Sequence, residues 1–121
     1  MYEYKAVVER VVDADTVRLR VDLGYDTWHV GSFRLLGIAA RELGQPGGHE
    51  ARQRLEILTL GHVVTIRSVK ADKYGGRYLA HVTLPDGAVD VAAVLVAEGW
   101  AVPWDGRGAQ PSPPWPREVI A

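Results

Sequence analysis

The chain has 121 residues, of which 47% are hydrophobic and 24% charged, so it can form one folded domain and is not a disordered chain. Its formal net charge of −1 excludes nucleic-acid binding through overall charge, and any such binding would need a local basic site or a metal. The absence of cysteine excludes disulfides and thiolate metal sites. No signal-peptide segment and no run of transmembrane length is visible, so we expect a cytoplasmic protein that does not contact membranes.

The first half of the sequence has the pattern of three strands joined by turns. Residues 2–12 are rich in valine and tyrosine, which predicts a first strand. Residues 16–23 alternate apolar with charged side chains, which predicts a half-buried second strand. Residues 27–38 predict a third strand with a bend at Gly31, and a loop over residues 39–48 follows it.

The second half alternates helical and extended patterns. Residues 49–60 have apolar side chains at helical spacing and predict a first helix. Residues 63–69 and 77–84 predict two further strands, and a second helix over residues 91–98 should begin at the N-cap Asp90. Because this second helix is apolar on nearly all sides, we expect it to be well buried.

The C-terminal segment differs in composition from the rest of the chain. Five of the seven prolines fall after residue 100, together with Trp104 and Trp115. Two interpretations are open: a polyproline ligand for a partner protein, or a strap that packs on the barrel through its tryptophans. We favour the strap and expect one domain over residues 1–102, with residues 103–121 as a tail packed on it.

The order of these elements predicts an α+β fold that is mainly β. Three strands, a helix, two strands and a helix fit a five-stranded OB-fold barrel with two helices and a proline-rich tail. Periodicity alone also fits an SH3-like barrel, so the two barrels remain alternatives at this point.

Several charged residues are placed where charge needs a partner. Arg34 lies within a run of large apolar residues, and a buried arginine is stable only when it pairs or binds an anion. Asp13 and Asp15 interrupt the first two strands, Glu42 follows the third, and Arg77 begins the fifth. These acids and arginines suit a phosphodiester site. Taken singly, the aspartates also fit turn-capping roles and Arg34 a structural ion pair, for example with Glu42.

Three motifs in this order resemble the staphylococcal nuclease (thermonuclease) family. They are VVDADTVRLRV at 11–21, FRLLGIAARE at 33–42 and DKYGGRYLA at 72–80. The resemblance covers about residues 4–102 and is strongest to short members of phage or actinobacterial type. It implies an OB-fold barrel and calcium-dependent hydrolysis of DNA and RNA.

The resemblance also implies a metal site. Asp15 corresponds to a calcium ligand of the family, the backbone carbonyl of Ala40 can provide a second oxygen, and Asp13 would act on the metal through another group. Ala39 stands where the family usually has an acidic ligand, so the metal should bind weakly or another divalent cation should replace calcium.

The remaining roles are implied in the same way. Arg34 and Arg77 correspond to arginines that bind the scissile phosphate, and Glu42 to the residue that acts as general base or positions it. Gly76 is one residue more than the family has before this arginine. Three further residues would contact substrate, although Trp104 also fits a packing role: Lys73, Tyr74 and Trp104.

We therefore predict a metal-dependent nuclease that acts as a monomer on DNA or RNA, preferentially single-stranded. The alternative is a catalytically weak or silent OB module that binds single-stranded nucleic acid or a protein partner, which Ala39 favours. Such a module would need a local basic patch from Arg18, Arg20, Lys70 and Lys73. A third hypothesis is an adaptor that binds partners through its tail.

Overall fold

Seven strands and two helices make up the computed structural model of the chain, which describes residues 3–72, 76–85, 89–106 and 109–111. In chain order the elements are β1 (Glu3–Asp13), β2 (Thr16–Asp22), β3 (Trp28–Leu35), β4 (Ile38–Ala40), α1 (Gly48–Thr59), β5 (Val63–Ala71), β6 (Arg77–Thr83), α2 (Val91–Ala97) and β7 (Ala101–Pro103). The predicted mainly β fold with two helices is confirmed.

Five strands close into a barrel in the order β1-β2-β3-β6-β5. Neighbouring strands are antiparallel except β3 and β6, which pair in parallel. The predicted five-stranded barrel is therefore observed, and the β3–β6 and β1–β5 pairs join the two halves of the chain.

The barrel core follows from the alternation seen in the sequence. Val17, Leu19 and Val21 of β2 are buried, whereas Arg18 and Arg20 between them are exposed. Successive side chains of a strand point to opposite faces, so this pattern places one face of β2 in the barrel interior. Full burial of each large aliphatic side chain contributes about 1.5–3 kcal/mol.

Both helices lie on the barrel through a single face. In α1, Ala51 and Leu55 are fully buried. The side chain of Asp90 accepts a hydrogen bond from the backbone N–H of Ala92 at 3.0 Å, which confirms it as the N-cap of α2. Exposed Ala93 and Ala97 show that α2 is not buried all round as predicted, because alanine is small enough to face solvent at little cost. No helix in the described ranges is long and apolar enough to cross a membrane.

The predicted third strand is in fact two strands. Gly31 pairs in register with Leu19, so the strand does not break there. A Cβ at Gly31 would lie 2.9 Å from Nε2 of His29, so glycine leaves room for this ring. The break falls after Leu35, where Gly37 has φ +84°, a conformation that favours glycine.

The segment after this break was predicted to begin a loop at residue 39, which is wrong. Ala39 and Ala40 belong to β4, which pairs with β7 in a separate two-stranded sheet. This pairing ties residues 101–103 to β4, and it includes Pro103, the first residue of the predicted tail. Residues 112–121, including Trp115, lie outside the described ranges, so the roles predicted for the tail and the boundary at residue 102 stay predictions.

Candidate active site

One cleft of about 380 Å³ lies beside the barrel where the β1–β2 turn, β3, β6, the loop after β4 and the C-terminal segment meet. Strand register determines which residues reach it. Thr16 pairs with Arg34 across β2 and β3, and Ser32 pairs with Arg77 across β3 and β6. The residues that line the cleft are Asp13, Asp15, Thr16, Arg34, Glu42, Arg77, Trp104, Ala109 and Gln110.

Arg34 and Asp15 form a nearly buried ion pair. The distance from Nε of Arg34 to Oδ2 of Asp15 is 3.3 Å, and each side chain is 10% exposed. The other carboxylate oxygen, Oδ1, accepts a hydrogen bond from the hydroxyl of Thr16 at 2.9 Å. Nη2 of Arg34 is buried and has no hydrogen-bond acceptor among the described residues. A buried donor of this kind is suited to an anionic ligand.

Trp104 lies against the same guanidinium. Its ring centroid is 4.9 Å from Cζ of Arg34, within the range of a cation–π contact. Its backbone N–H donates to the carbonyl of Gly37 at 2.8 Å, which fixes the C-terminal segment to the turn between β3 and β4. A second cleft of about 280 Å³, also lined by Arg34 and Trp104, includes Lys70 and Leu79. The tryptophan thus packs and borders two clefts at once.

Arg77 is held by an acid that the sequence did not single out. Its Nη2 lies 3.0 Å from Oδ2 of Asp72, whose side chain is 4% exposed, whereas that of Arg77 is 34% exposed. The backbone N–H of Asp72 also donates to the carbonyl of Arg77 at 3.0 Å. Gly76 adopts φ +81° just before Arg77. Arg77 lies on the cleft wall.

Glu42 is exposed in the loop between β4 and α1. Its backbone N–H donates to Oε1 of Gln45 at 2.8 Å, and its Oε1 accepts from Nε2 of Gln110 at 3.4 Å. Within the described part of the chain it forms no ion pair with Arg34, which pairs with Asp15. A Cβ at Gly48, the first residue of α1, would overlap the carbonyl oxygen of Glu42. The loop is therefore folded tightly against the start of the helix.

Asp13 lies at the end of β1, partly buried behind the cleft. Burial raises the pKa of its carboxyl, and the nearby charge of Asp15 acts in the same direction. The hydrogen bond that its Oδ1 accepts from the N–H of Ala14, at 2.8 Å, opposes this shift and is the contact expected of a turn acid. Asp13 thus combines the turn-capping role with a place on the cleft wall.

Few metal donors converge in this cleft. Among the described residues, no group of three or more histidine, cysteine, aspartate or glutamate side chains could hold a metal ion. Ala39 and Ala40 are buried, at 0% and 2% exposure, and neither lines the cleft. Asp13, Asp15 and Glu42 do line it, and their oxygen atoms suit a hard divalent cation that keeps most of its water. The predicted substrate contacts Lys73 and Tyr74 lie outside the described ranges.

Three residues of the site were missed by reasoning from the sequence. Thr16 stands next to Asp15 in the first motif, and its hydroxyl orients that carboxylate. Asp72 opens the third motif, and an acid just before a turn that ends in arginine was a signal for an ion pair. Gln110 lies in the proline-rich segment, where no pattern pointed to Glu42.

Comparison with known proteins finds one matching family and two similar nucleases. The sequence pattern of the family described as "Staphylococcal nuclease homologue" matches residues 32–111. A micrococcal nuclease from Shigella flexneri is 34% identical over 113 residues, which is 87% of this chain and 62% of that protein. A probable endonuclease LCL3 from Yarrowia lipolytica (strain CLIB 122 / E 150) is 34% identical over 93 residues, which is 70% of this chain and 39% of that protein. The chain thus spans under two thirds of the length of either relative.

Proposed function

The chain belongs to the staphylococcal nuclease family, and we propose that it hydrolyses phosphodiester bonds of DNA or RNA in the cleft that contains Arg34, Arg77 and Glu42. The proposal rests on one observation above the others: Nη2 of Arg34 is a buried donor without an acceptor in the described part of the chain, and it belongs to a cleft wall that also includes a second arginine and a carboxylate.

The two arginines suit binding of the scissile phosphate. Asp15 holds Nε of Arg34 and leaves Nη2 available, while Asp72 holds Nη2 of Arg77. Guanidinium groups donate in a fixed fork that matches phosphate oxygens, and donors placed in advance stabilise the charge that develops in the transition state. In this proposal each arginine is positioned by its own aspartate.

Glu42 is the proposed general base. Its carboxylate is exposed and, among the described residues, has only a long contact of 3.4 Å to Gln110, so it can accept a proton from an attacking water. The loop hydrogen bond to Gln45 and the close packing on Gly48 hold its backbone in place. A water between Glu42 and a phosphate on Arg34 would attack the phosphorus while Glu42 takes its proton, and the ester P–O bond on the opposite side would break and release one end of the cut strand.

A divalent cation completes the proposal, with calcium as the first candidate. Asp15 would hold the ion, and Asp13 would act on it through water, because the described residues do not form a group of three ligands. The backbone carbonyl of Ala40 remains a proposed further ligand. When bound, the cation polarises the phosphate. A site with this few protein ligands should bind calcium weakly.

Ala39→Asp tests the metal site without relying on activity. Ala39 is fully buried, so a carboxylate there must either reach a cation or remain buried and uncompensated. We expect the variant to unfold at lower temperature than the wild type in chelator and to recover more stability than the wild type when calcium is added. Ala6→Asp, also buried but in β1 and outside the cleft, is the matched control and should not recover. Equal calcium responses in all three proteins would contradict the proposed metal site.

The second candidate function is an OB module that binds nucleic acid or a protein partner and does not cut. The alanine at position 39 and the lack of a three-ligand group favour it. It predicts binding of an oligonucleotide with no cleavage at any calcium or magnesium concentration.

Cleavage of a labelled single-stranded DNA oligonucleotide decides between the two. Calcium and then magnesium are titrated against the wild type, with chelator as the blank. We expect metal-dependent cutting that falls by about 10²- to 10⁴-fold in Glu42→Gln, since this substitution removes the proton acceptor. Glu50→Gln, an exposed glutamate of α1, has the same charge change and should cut at the wild-type rate.

The two variants test which residue is the base, and the wild type tests whether the protein cuts at all. Equal rates in Glu42→Gln and Glu50→Gln would assign the base elsewhere, and binding without cutting by the wild type would favour the OB module. The same assay with RNA and with duplex DNA tests our proposal that single strands are preferred. Light scattering under assay conditions tests the proposed monomer.

A further inference from the structure

The outer face of β2 and β3 extends the cleft in one direction. Alternate residues of a strand share a face, so Arg34, Ser32, Val30 and Trp28 lie in one row along β3. The neighbouring row on β2 contains Arg18, opposite Ser32, together with Arg20 and Thr16. Six residues of strand separate Arg34 from Trp28, which is about 20 Å. A surface therefore runs from the phosphate-binding arginine to an exposed tryptophan.

This surface is basic although the whole chain has a net charge of −1. Arg10, Arg18 and Arg20 are exposed, and none of their side chains forms a hydrogen bond or an ion pair with a described residue. Acidic residues lie only at its margins among those described: Glu9 next to Arg10, and Asp22, whose Oδ1 accepts from the N–H of Gly24 at 2.8 Å. The centre of the surface thus presents unneutralised guanidinium groups.

A bulge in β1 strengthens this charge. The register of β1 with β2 shifts between Val8 and Arg10, so Arg10 stands directly opposite Arg18. Like charges in directly opposed positions destabilise a free sheet. A polyanion bound across the two arginines would relieve the repulsion, whereas a neutral partner would not.

The far end of the surface provides a stacking platform. The Trp28 side chain is 42% exposed, and Cζ of Arg20 lies 4.1 Å from the centroid of its ring. Exposed aromatic rings beside arginines bind the bases of single-stranded nucleic acid without reading their sequence. The phosphates of such a strand would meet the arginines between Trp28 and the cleft.

We propose that Arg10, Arg18, Arg20 and Trp28, which we name the outer track, bind the part of a single-stranded polynucleotide that flanks the scissile phosphate. This assignment rests on the proposed function, because the bound strand is taken to run from the scissile phosphate at Arg34 along the track to Trp28. It predicts that substrate length matters: a strand of about twelve nucleotides reaches the track, whereas a trinucleotide in the cleft does not.

The test is binding in chelator, where no cleavage interferes. Fluorescence anisotropy of end-labelled oligothymidylates of the two lengths is measured for the wild type and for Arg18→Ala/Arg20→Ala. We expect the double variant to bind the longer strand about tenfold more weakly and the trinucleotide within about twofold of the wild type. For the longer strand, a plot of the logarithm of the binding constant against the logarithm of the salt concentration should be less steep by about 1.4. This change corresponds to two lost phosphate contacts.

Arg54→Ala/Arg67→Ala is the matched control. It removes two positive charges from α1 and β5, two elements that do not belong to the face formed by β2 and β3. This control should bind both lengths as the wild type does. An equal loss in the control, an equal loss for both lengths in the track variant, or no loss at all would overturn the outer track.

The tryptophan is tested separately. Trp28→Ala should weaken the longer strand about fivefold or more, and Trp28→Phe, which keeps an aromatic face, should restore most of this loss. No difference between the two variants would remove Trp28 from the track. The outer track and the proposed nuclease activity can be disproved independently. A length-dependent loss of binding in the track variant supports the track even if the wild type never cuts. Metal-dependent cutting by the wild type, with unchanged binding in the track variant, overturns the track alone.

Discussion

The two walls of the cleft are built in different ways. The barrel wall presents Arg34, Asp15 and Arg77, with the first two only 10% exposed and each arginine paired to an aspartate. The loop wall presents Glu42, which is exposed and has one side-chain contact of 3.4 Å to Gln110. The barrel wall is thus fixed by strand register, and the loop wall by packing of a short connection.

This difference separates the stabilities of the two walls. Register between strands cannot shift without moving every core side chain to the wrong face, so the positions of Arg34 and Arg77 are as stable as the barrel itself. A loop has fewer contacts to lose and can change with little effect on the fold. We therefore expect substitutions in the barrel wall to affect stability and those in the loop wall to affect the rate of cleavage.

The largest effect is expected from Asp15→Asn. The substitution leaves the buried guanidinium of Arg34 without its charged partner, and breaking a buried pair from one side costs about 3–5 kcal/mol. Urea unfolding in chelator measures the change, with Glu42→Gln, expected within about 0.5 kcal/mol of wild type, as the loop-wall control. A loss below about 1 kcal/mol in Asp15→Asn would mean that the pair does not stabilise Arg34.

Gly48→Ala tests the loop wall. Helix propensity alone would make alanine stabilising by about 0.5–1 kcal/mol, but its Cβ would overlap the carbonyl oxygen of Glu42. We expect the loop to shift, with a loss of about 1–3 kcal/mol in stability and up to about 10²-fold in cleavage rate. His49→Ala, the exposed neighbour, is the control for both measurements. A stabilised and fully active Gly48→Ala would show that the close contact does not position Glu42.

Asp72→Asn tests how Arg77 is positioned. An amide keeps the shape of the buried carboxylate but holds Nη2 of Arg77 less strongly, so we expect kcat/KM to fall about tenfold. Because the Arg77 side chain is 34% exposed and water can solvate its charge, the loss of stability should be smaller than in Asp15→Asn. Because Asp72 acts through Arg77, Asp72→Asn/Arg77→Ala should be no slower than Arg77→Ala alone. Additive losses in this cycle would show that Asp72 has a separate role.

The smallest effect is expected from Asp13→Asn. Burial raises the pKa of this carboxyl, so the folded state binds more protons than the unfolded state between the ordinary pKa and the raised one. The stability from protonated Asp13 is therefore present at low pH and lost as pH rises through the raised pKa. In chelator, Asp13→Asn should melt at most a few degrees above wild type at neutral pH, and the difference should shrink at pH 3. A melting-temperature difference that grows toward low pH would contradict a raised pKa for Asp13.

Much of the barrel wall could be predicted from the sequence, but not its pairing. An arginine in an apolar run had to pair or bind an anion, and the acids of the first motif were candidate partners for the same site. Its partner depends on the register Thr16 to Arg34, which is set by the turn at Gly24, Tyr25 and Asp26. Two of these turn residues have positive φ without being glycine, a geometry that composition does not reveal.

The loop wall was harder to predict for a physical reason. β4 and β7 have three residues each, too few to show any periodicity, and their pairing joins segments 60 residues apart in the sequence. Ala39 was therefore placed in a loop, although it lies in a buried strand. Gln110 approaches Glu42 only because that pairing brings the C-terminal segment back to the cleft.

The parallel pairing of β3 with β6 has a consequence for the order in which the site forms. Asp15 and Arg34 meet through a hairpin, whereas Arg77 joins them through strands more than 40 residues apart in the chain. Contacts between distant segments carry a larger loop-closure entropy and form more slowly than local ones. Arg77 therefore takes its place in the cleft only when the barrel closes, and any fluctuation that separates β3 from β6 removes Arg77 while the ion pair of the hairpin remains.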